Sequence, residues 1–300
     1  MTGTPDRITT PELDDEPGVI LEQTARTHSM VLLRDRLARA AYVSHAPPRR
    51  LLIFVHGFGG NAVATWSGMG NFDASDHFWR EADLVFFDYD SLRESIKGVA
   101  DRLRKCVDRY YPAPSGDLSG NEVGEIRPLS LPDYEELVLI GHSLGGLVAR
   151  KAVADAFTLW QAANGSSQEG KPAALAASLR LFSPASAGVR FAGPVGSLQK
   201  AHLVEWLEAW LYRSAAFQDL QPGSEVLRAT RRRTEANASH EEASALRARV
   251  LWANPEDVVL PEDYDSDIYS SSVDETDHRS VCKPRSDFRE PWTFIARGEI

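Results

Sequence analysis

Apolar positions fall into two kinds of run along this chain. "LLIFV", Leu51 to Val55, is unbroken, rich in branched residues and stopped by His56-Gly57. Such a run reads as a strand buried on both faces. "DLVFFDYDS" (83–91) is a second such strand, "ELVLI" (136–140) reads as the third, "SLRLFSP" (178–184) as the fourth and "RVLWANPEDVVLP" (from Arg249) as the fifth with its loop, and "DIYSS" (267–271) is a weaker sixth. Between them lie helical periods. In "SLRESIKGVADRLRKCVDRYY" the apolar residues Leu92, Ile96, Val99, Leu103 and Val107 recur at steps of three and four. Ser91 reads as its N-cap, with Glu94 completing a capping box. "LGGLVARKAVADAFTLW" (144–160) and "VGSLQKAHLVEWLEAWLYR" (195–213) are two further helices, and Thr24–Val43 also reads as a helix.

Strands alternating with helices predict an α/β protein with a doubly wound, mostly parallel sheet and helices on both faces. Residues 1–17, rich in Pro, Thr and Asp, read as a flexible tail, and 18–300 as one domain. Residues 163–174 read as an insertion, and about 188–242, between the fourth strand and the fifth, as a small helical cap.

Charge and cysteine content narrow the function. A formal charge of −10 argues against nucleic acid as a partner and limits membrane contact to the peripheral kind. Two cysteines, Cys106 and Cys282, are too few for a disulfide framework, and no spacing marks a metal site. The polar, acidic start "MTGTPDRITTPELDDEPG" is no secretory signal, and no apolar run approaches a membrane span, so a cytoplasmic location is expected.

The chemistry gathers at strand ends. Gly141-His142-Ser143-Leu144-Gly145 follows a buried strand and opens a helix, the context of a nucleophile elbow. A serine hydroxyl is a weak nucleophile at neutral pH. It needs a base, a group that orients the base, and N–H donors where charge develops on the carbonyl oxygen. "HGFGG", 56–60, closes an earlier strand, so the backbone N–H groups of Phe58 and Leu144 are the oxyanion candidates, with His56 structural. With an elbow of this kind the order along the chain is Ser, acid, His. Of the histidines after Ser143, His202 falls in an apolar helix and His240 in a charged stretch, which leaves His278 as the base. The acid is expected at the strand end "NPEDVVLP": Asp257 first, because an apolar pair follows it directly, with Glu256 as the runner-up.

These residues resemble the α/β-hydrolase superfamily, and within it the lipase-like serine esterases, a group including GPI-inositol-deacylase-like proteins and esterase domains fused to NLR-like ATPases. The resemblance rests on "FVHGFGGNAVATW", "FFDYDS", "LIGHSLGGLVARKAV", "DLQPGSEVL", "NPEDVVLP" and "DHRSVCKP", spread over about 52–284. It implies the α/β-hydrolase fold, a Ser143–Asp257–His278 triad and no cofactor. After the fourth strand the chain departs from the group, with "SPASAGVR" where many relatives carry a Thr-Pro-His-x-Gly type of loop.

The expected activity is hydrolysis of a carboxylic ester, lipid or otherwise hydrophobic, through an acyl-serine intermediate. Trp66 beside the oxyanion loop, and Trp206 and Trp210 on one face of the cap helix, are the candidates for the acyl pocket. Acyl transfer with the same triad is the alternative. A signalling or effector module on the same scaffold is a third, and it would add a regulatory protein as partner.

Overall fold

The computed structural model describes residues 27–33, 37–121, 124–128, 130–163, 170–190 and 216–300. The tail, part of the insertion and the helix expected over 195–213 lie outside the described residues.

The centre is one eight-stranded sheet. Its strands in chain order are β1 (His28–Leu32), β2 (Ala38–Ser44), β3 (Arg50–Val55), β4 (Ala82–Phe87), β5 (Glu136–His142), β6 (Ala177–Phe182), β7 (Arg249–Asn254) and β8 (Tyr269–Asp274). In space they run β1-β2-β4-β3-β5-β6-β7-β8. β2 is antiparallel to both β1 and β4, and every other pairing is parallel. The unbroken apolar runs thus became the inner parallel strands, as their two-sided burial requires.

β3 shows how the core divides. Leu51, Ile53 and Val55 point into one apolar cluster, and Leu52 and Phe54 into another on the opposite face. Helices α1 (Ile96–Tyr110) and α2 (Leu144–Ala162) pack together on the first face, and α3 (Glu225–Asn237) leans on α2. Helix α4 (Glu290–Arg297) brings Trp292, Phe294 and Ile295 to the second. Four positions of the expected stripe, Ile96, Val99, Leu103 and Val107, are buried on α1, while Leu92 precedes the helix and is half-buried.

Two local expectations are corrected. Thr24–Val43 is not a helix, because its described part is the β1–β2 hairpin, with His28 opposite Ser44 and Leu32 opposite Ala40. Alanine-rich β2 has ordinary helical propensity, but pairing between β1 and β4 buries Ala40 and Ala41 almost completely, and that tertiary gain decides the strand. Helix α1 begins at Ile96 with Ser95 as its N-cap, its Oγ accepting the Gly98 N–H at 3.2 Å. Ser91 instead accepts the N–H of Gly59 at 2.9 Å, tying the β4–α1 turn to the "HGFGG" loop.

The long 112–134 connection is pinned inward. Arg127 forms a buried two-pronged ion pair with Asp83 at 2.8 and 2.6 Å, and the Tyr134 hydroxyl donates to the same carboxylate.

Candidate active site

Ser143 sits between the last residue of β5 and the first of α2 with φ 54° and ψ −122°. Positive φ in a non-glycine residue costs of order 1–3 kcal/mol and persists only where surrounding structure fixes it. Here the Ser143 N–H donates to the Phe182 carbonyl, and the Ser143 carbonyl accepts from Gly146 and Ala185, each at 3.0 Å. The flanking glycines allow the tight passage. A Cβ on Gly141 would stand 2.6 Å from the Gly146 Cα, and one on Gly145 would collide with the carbonyl oxygens of Val55 and His56. The motif's spacing therefore follows from backbone meeting backbone, with no room for side chains.

His278 lies in the turn after β8. The Asp277 carboxylate shapes that turn by accepting the N–H groups of Arg279 and Ser280 at 2.9 and 2.8 Å. The His278 Nδ1 is 3.0 Å from both carboxylate oxygens of Glu256, and both side chains are almost fully buried. Burial works against the charge on Glu256. Hydrogen bonds from His278, Ser183 and the Val258 N–H outweigh it and hold the carboxyl below its ordinary range. This corrects the choice of Asp257, whose side chain is exposed while its neighbour turns inward. The Val258-Val259 pair that favoured Asp257 serves Glu256, since both N–H groups donate to Glu256 Oε1, at 2.9 and 3.1 Å.

His142, not picked out from the sequence, supports the His278 turn from below. Its Nε2 donates to the His278 carbonyl at 2.6 Å, and the two rings lie 4.9 Å apart. Burial, then the neighbouring His278, pushes its pKa down to about 3, so it stays neutral with the proton on Nε2. The position beside the nucleophile was the available signal.

The loop carrying Phe58 is held from three sides. Gly60 N–H donates to the Gly57 carbonyl at 3.1 Å, Ser91 accepts from Gly59, and the Tyr89 hydroxyl donates to the His56 carbonyl at 2.7 Å. His56 is buried, stacks on Tyr89 at 4.2 Å and donates Nδ1–H to the Gly57 carbonyl at 2.8 Å, which is a structural use. The Phe58 N–H makes no hydrogen bond among the described residues. Leu144, as the first residue of α2, has an N–H without an intrahelical acceptor. Phe58, Ser143, Leu144 and His278 all line one cavity of about 430 Å³.

Among solved structures, the mature lipase BlEst2 of Bacillus licheniformis is similar over 91% of this chain and 98% of its own, with a TM-score of 0.50 at 13% identity. The chain has the α/β-hydrolase fold. The monoacylglycerol lipase of Paleococcus ferrophilus (TM-score 0.43, 14% identity, 86% of this chain and 96% of that one) is also similar. So is a peroxisomal α/β-hydrolase of Saccharomyces cerevisiae (TM-score 0.46, 12% identity, 90% and 87%). No family model and no curated protein matches the chain.

Along the chain Ser143 thus joins β5 to α2, Glu256 follows β7 by two residues and His278 follows β8. The pocket expectations fare unevenly. Trp66 is fully buried, edge-on to Phe54, Phe182 and His142, and does not line the cavity; as a core residue it is withdrawn from the acyl pocket. Trp206 and Trp210 lie outside the described residues. The apolar wall comes from Phe58, Ala185, Val189, Leu220 and Val258. Ala185 and Val189 belong to the "SPASAGVR" loop, so the segment that departs from the resembled group faces the site. Among the described residues no group of His, Cys, Asp and Glu could hold a metal ion, and no helix is long and apolar enough to cross a membrane.

Proposed function

We propose that this chain is a serine hydrolase that cleaves carboxylic esters of hydrophobic acyl groups. The observation that carries the reading is the buried Glu256–His278 pair, whose histidine lines the same cavity as the strained Ser143. In the reaction His278 Nε2 takes the Ser143 proton as Oγ adds to the ester carbonyl carbon. The oxyanion so formed accepts hydrogen bonds from the Phe58 and Leu144 N–H groups. Glu256 keeps the proton of Nδ1 in place and offsets the charge of the imidazolium. As the carbonyl carbon–alcohol bond breaks, His278 returns its proton to the leaving oxygen and the alcohol departs, leaving acyl-Ser143. Water, activated by the same imidazole, then releases the acid and regenerates the serine. The apolar wall supports an acyl chain as its occupant.

The test is an uncharged fluorophosphonate probe with mass-spectrometric mapping, beside hydrolysis of a 4-nitrophenyl ester series. Wild-type protein is expected to label on Ser143 and turn over the esters, and Ser143→Ala to do neither. Folded wild type that neither labels nor hydrolyses overturns the reading.

A further inference from the structure

The cavity departs in charge from the molecule around it. The chain has 33 Lys and Arg against 43 Asp and Glu. Yet the described lining residues include Arg279 and Lys283 and not one carboxylate. Arg279 is exposed and Lys283 half-buried, and neither makes an ion pair among the described residues. Of the nearby carboxylates, Glu256 is committed to His278, while Asp277 accepts the N–H groups of its own turn and also feels the charge of Arg279, so Lys283 is the cation without a close carboxylate. A half-buried ammonium beside an apolar wall without a counter-ion is poorly placed by itself and well placed once an anion arrives.

Both cations stand on the histidine turn, where the Val281 N–H bonds back to Asp277 and the Lys283 N–H to Ser280. That position bears on the reaction. His278 must deliver its proton to the leaving oxygen, so the alcohol half of the ester is brought to this turn, while Ala185, Val189 and Val258 come from other segments. Resting on the esterase reading above, we propose that Arg279 and Lys283 are specificity-determining residues, selecting esters whose leaving alcohol carries a phosphate-type anion. That anion has two sources, a soluble phosphorylated alcohol or a phospholipid headgroup.

The test compares kcat/KM for hexanoyl-glycerol 3-phosphate with that for monohexanoylglycerol, which differ only by the phosphate. Wild type, Arg279→Gln, Lys283→Gln and the double variant are measured at low and high ionic strength. Wild type is expected to favour the phosphate ester by about tenfold or more at low salt, the scale of one charge-assisted hydrogen bond. The preference shrinks with salt, and the double variant loses most of it. Palmitoyl-glycerol 3-phosphate in phosphatidylcholine vesicles, run in parallel, separates the sources: preference only there names the lipid headgroup, preference with the monomeric ester names the soluble alcohol, and either supports the proposal. Fluorophosphonate labelling of Ser143 in every variant reports an intact site. An unchanged ratio in a double variant that labels normally, or a wild type that favours the neutral ester, overturns the proposal and leaves the esterase reading standing. Wild type that neither labels nor hydrolyses either ester overturns both.

Discussion

Two adjacent acids, Glu256 and Asp257, give opposite predictions when neutralised. Glu256→Gln keeps shape and volume but removes the charge that faces His278 Nδ1 at 3.0 Å. The glutamine oxygen can still accept from Val258 and Val259, so the acid loop keeps its course. The imidazole loses its fixed tautomer and the counter-charge for the imidazolium. A hydrogen bond to a buried charge is by itself worth about 1.5–3 kcal/mol. Amide replacement of a triad acid lowers kcat about 10⁴-fold where it has been studied. Because both side chains here are almost fully buried, water screens little of the interaction, and the expected loss in kcat is about 10³- to 10⁴-fold, roughly 4–5.5 kcal/mol of barrier. Asp257→Asn changes an exposed side chain away from His278, so kcat should stay within about threefold. The assay is steady-state hydrolysis of 4-nitrophenyl butyrate, with thermal unfolding to show that both variants fold. A Glu256→Gln enzyme keeping more than a tenth of wild-type kcat, or an Asp257→Asn enzyme losing more than a hundredfold, would refute the assignment of the carboxylate.

The remaining predictions concern what holds the site together. Burial lowers the pKa of His28, His56 and His142, the last to about 3, so below an ordinary value near 6.5 the unfolded chain takes up protons that the folded one does not. Stability should therefore fall with pH below about 6.5, by about 1.4 kcal/mol per pH unit for each histidine still neutral in the fold; urea midpoints that stay flat between pH 7 and 5 would count against this. Ser91→Ala leaves the Gly59 N–H without its acceptor and loosens the loop that carries Phe58. We expect kcat to drop by about five- to tenfold with KM little changed, consistent with about 1 kcal/mol for the lost hydrogen bond, and an equal rise in KM instead would point to a substrate-binding role.

The physics that made some features legible also hid the others. A parallel inner strand is buried on both faces, so Leu51–Val55 of β3, Leu84–Phe87 of β4 and Leu137–Ile140 of β5 had to appear as unbroken apolar runs, whereas Arg180 interrupts the run in β6. The glycines around Ser143 were equally forced, because the backbone atoms they meet exclude any Cβ. Elsewhere a distant partner chose between local options of near-equal cost. Alanine-rich β2 would suit a helix, and β1 and β4 make it a strand. Ser91 and Ser95 are both competent caps four residues apart, and Gly59 claims the first. Glu256 and Asp257 differ by one position and one methylene, and the turn after β7 sends one inward and the other to solvent. The apolar pair that pointed to Asp257 was a real signal read one step out of register, because its contribution is the two backbone N–H groups that the inward carboxylate accepts. At a strand end, then, apolar side chains show where the chain dives back toward the core, and the catalytic candidate is the acid whose carboxylate can reach the N–H groups of that dive.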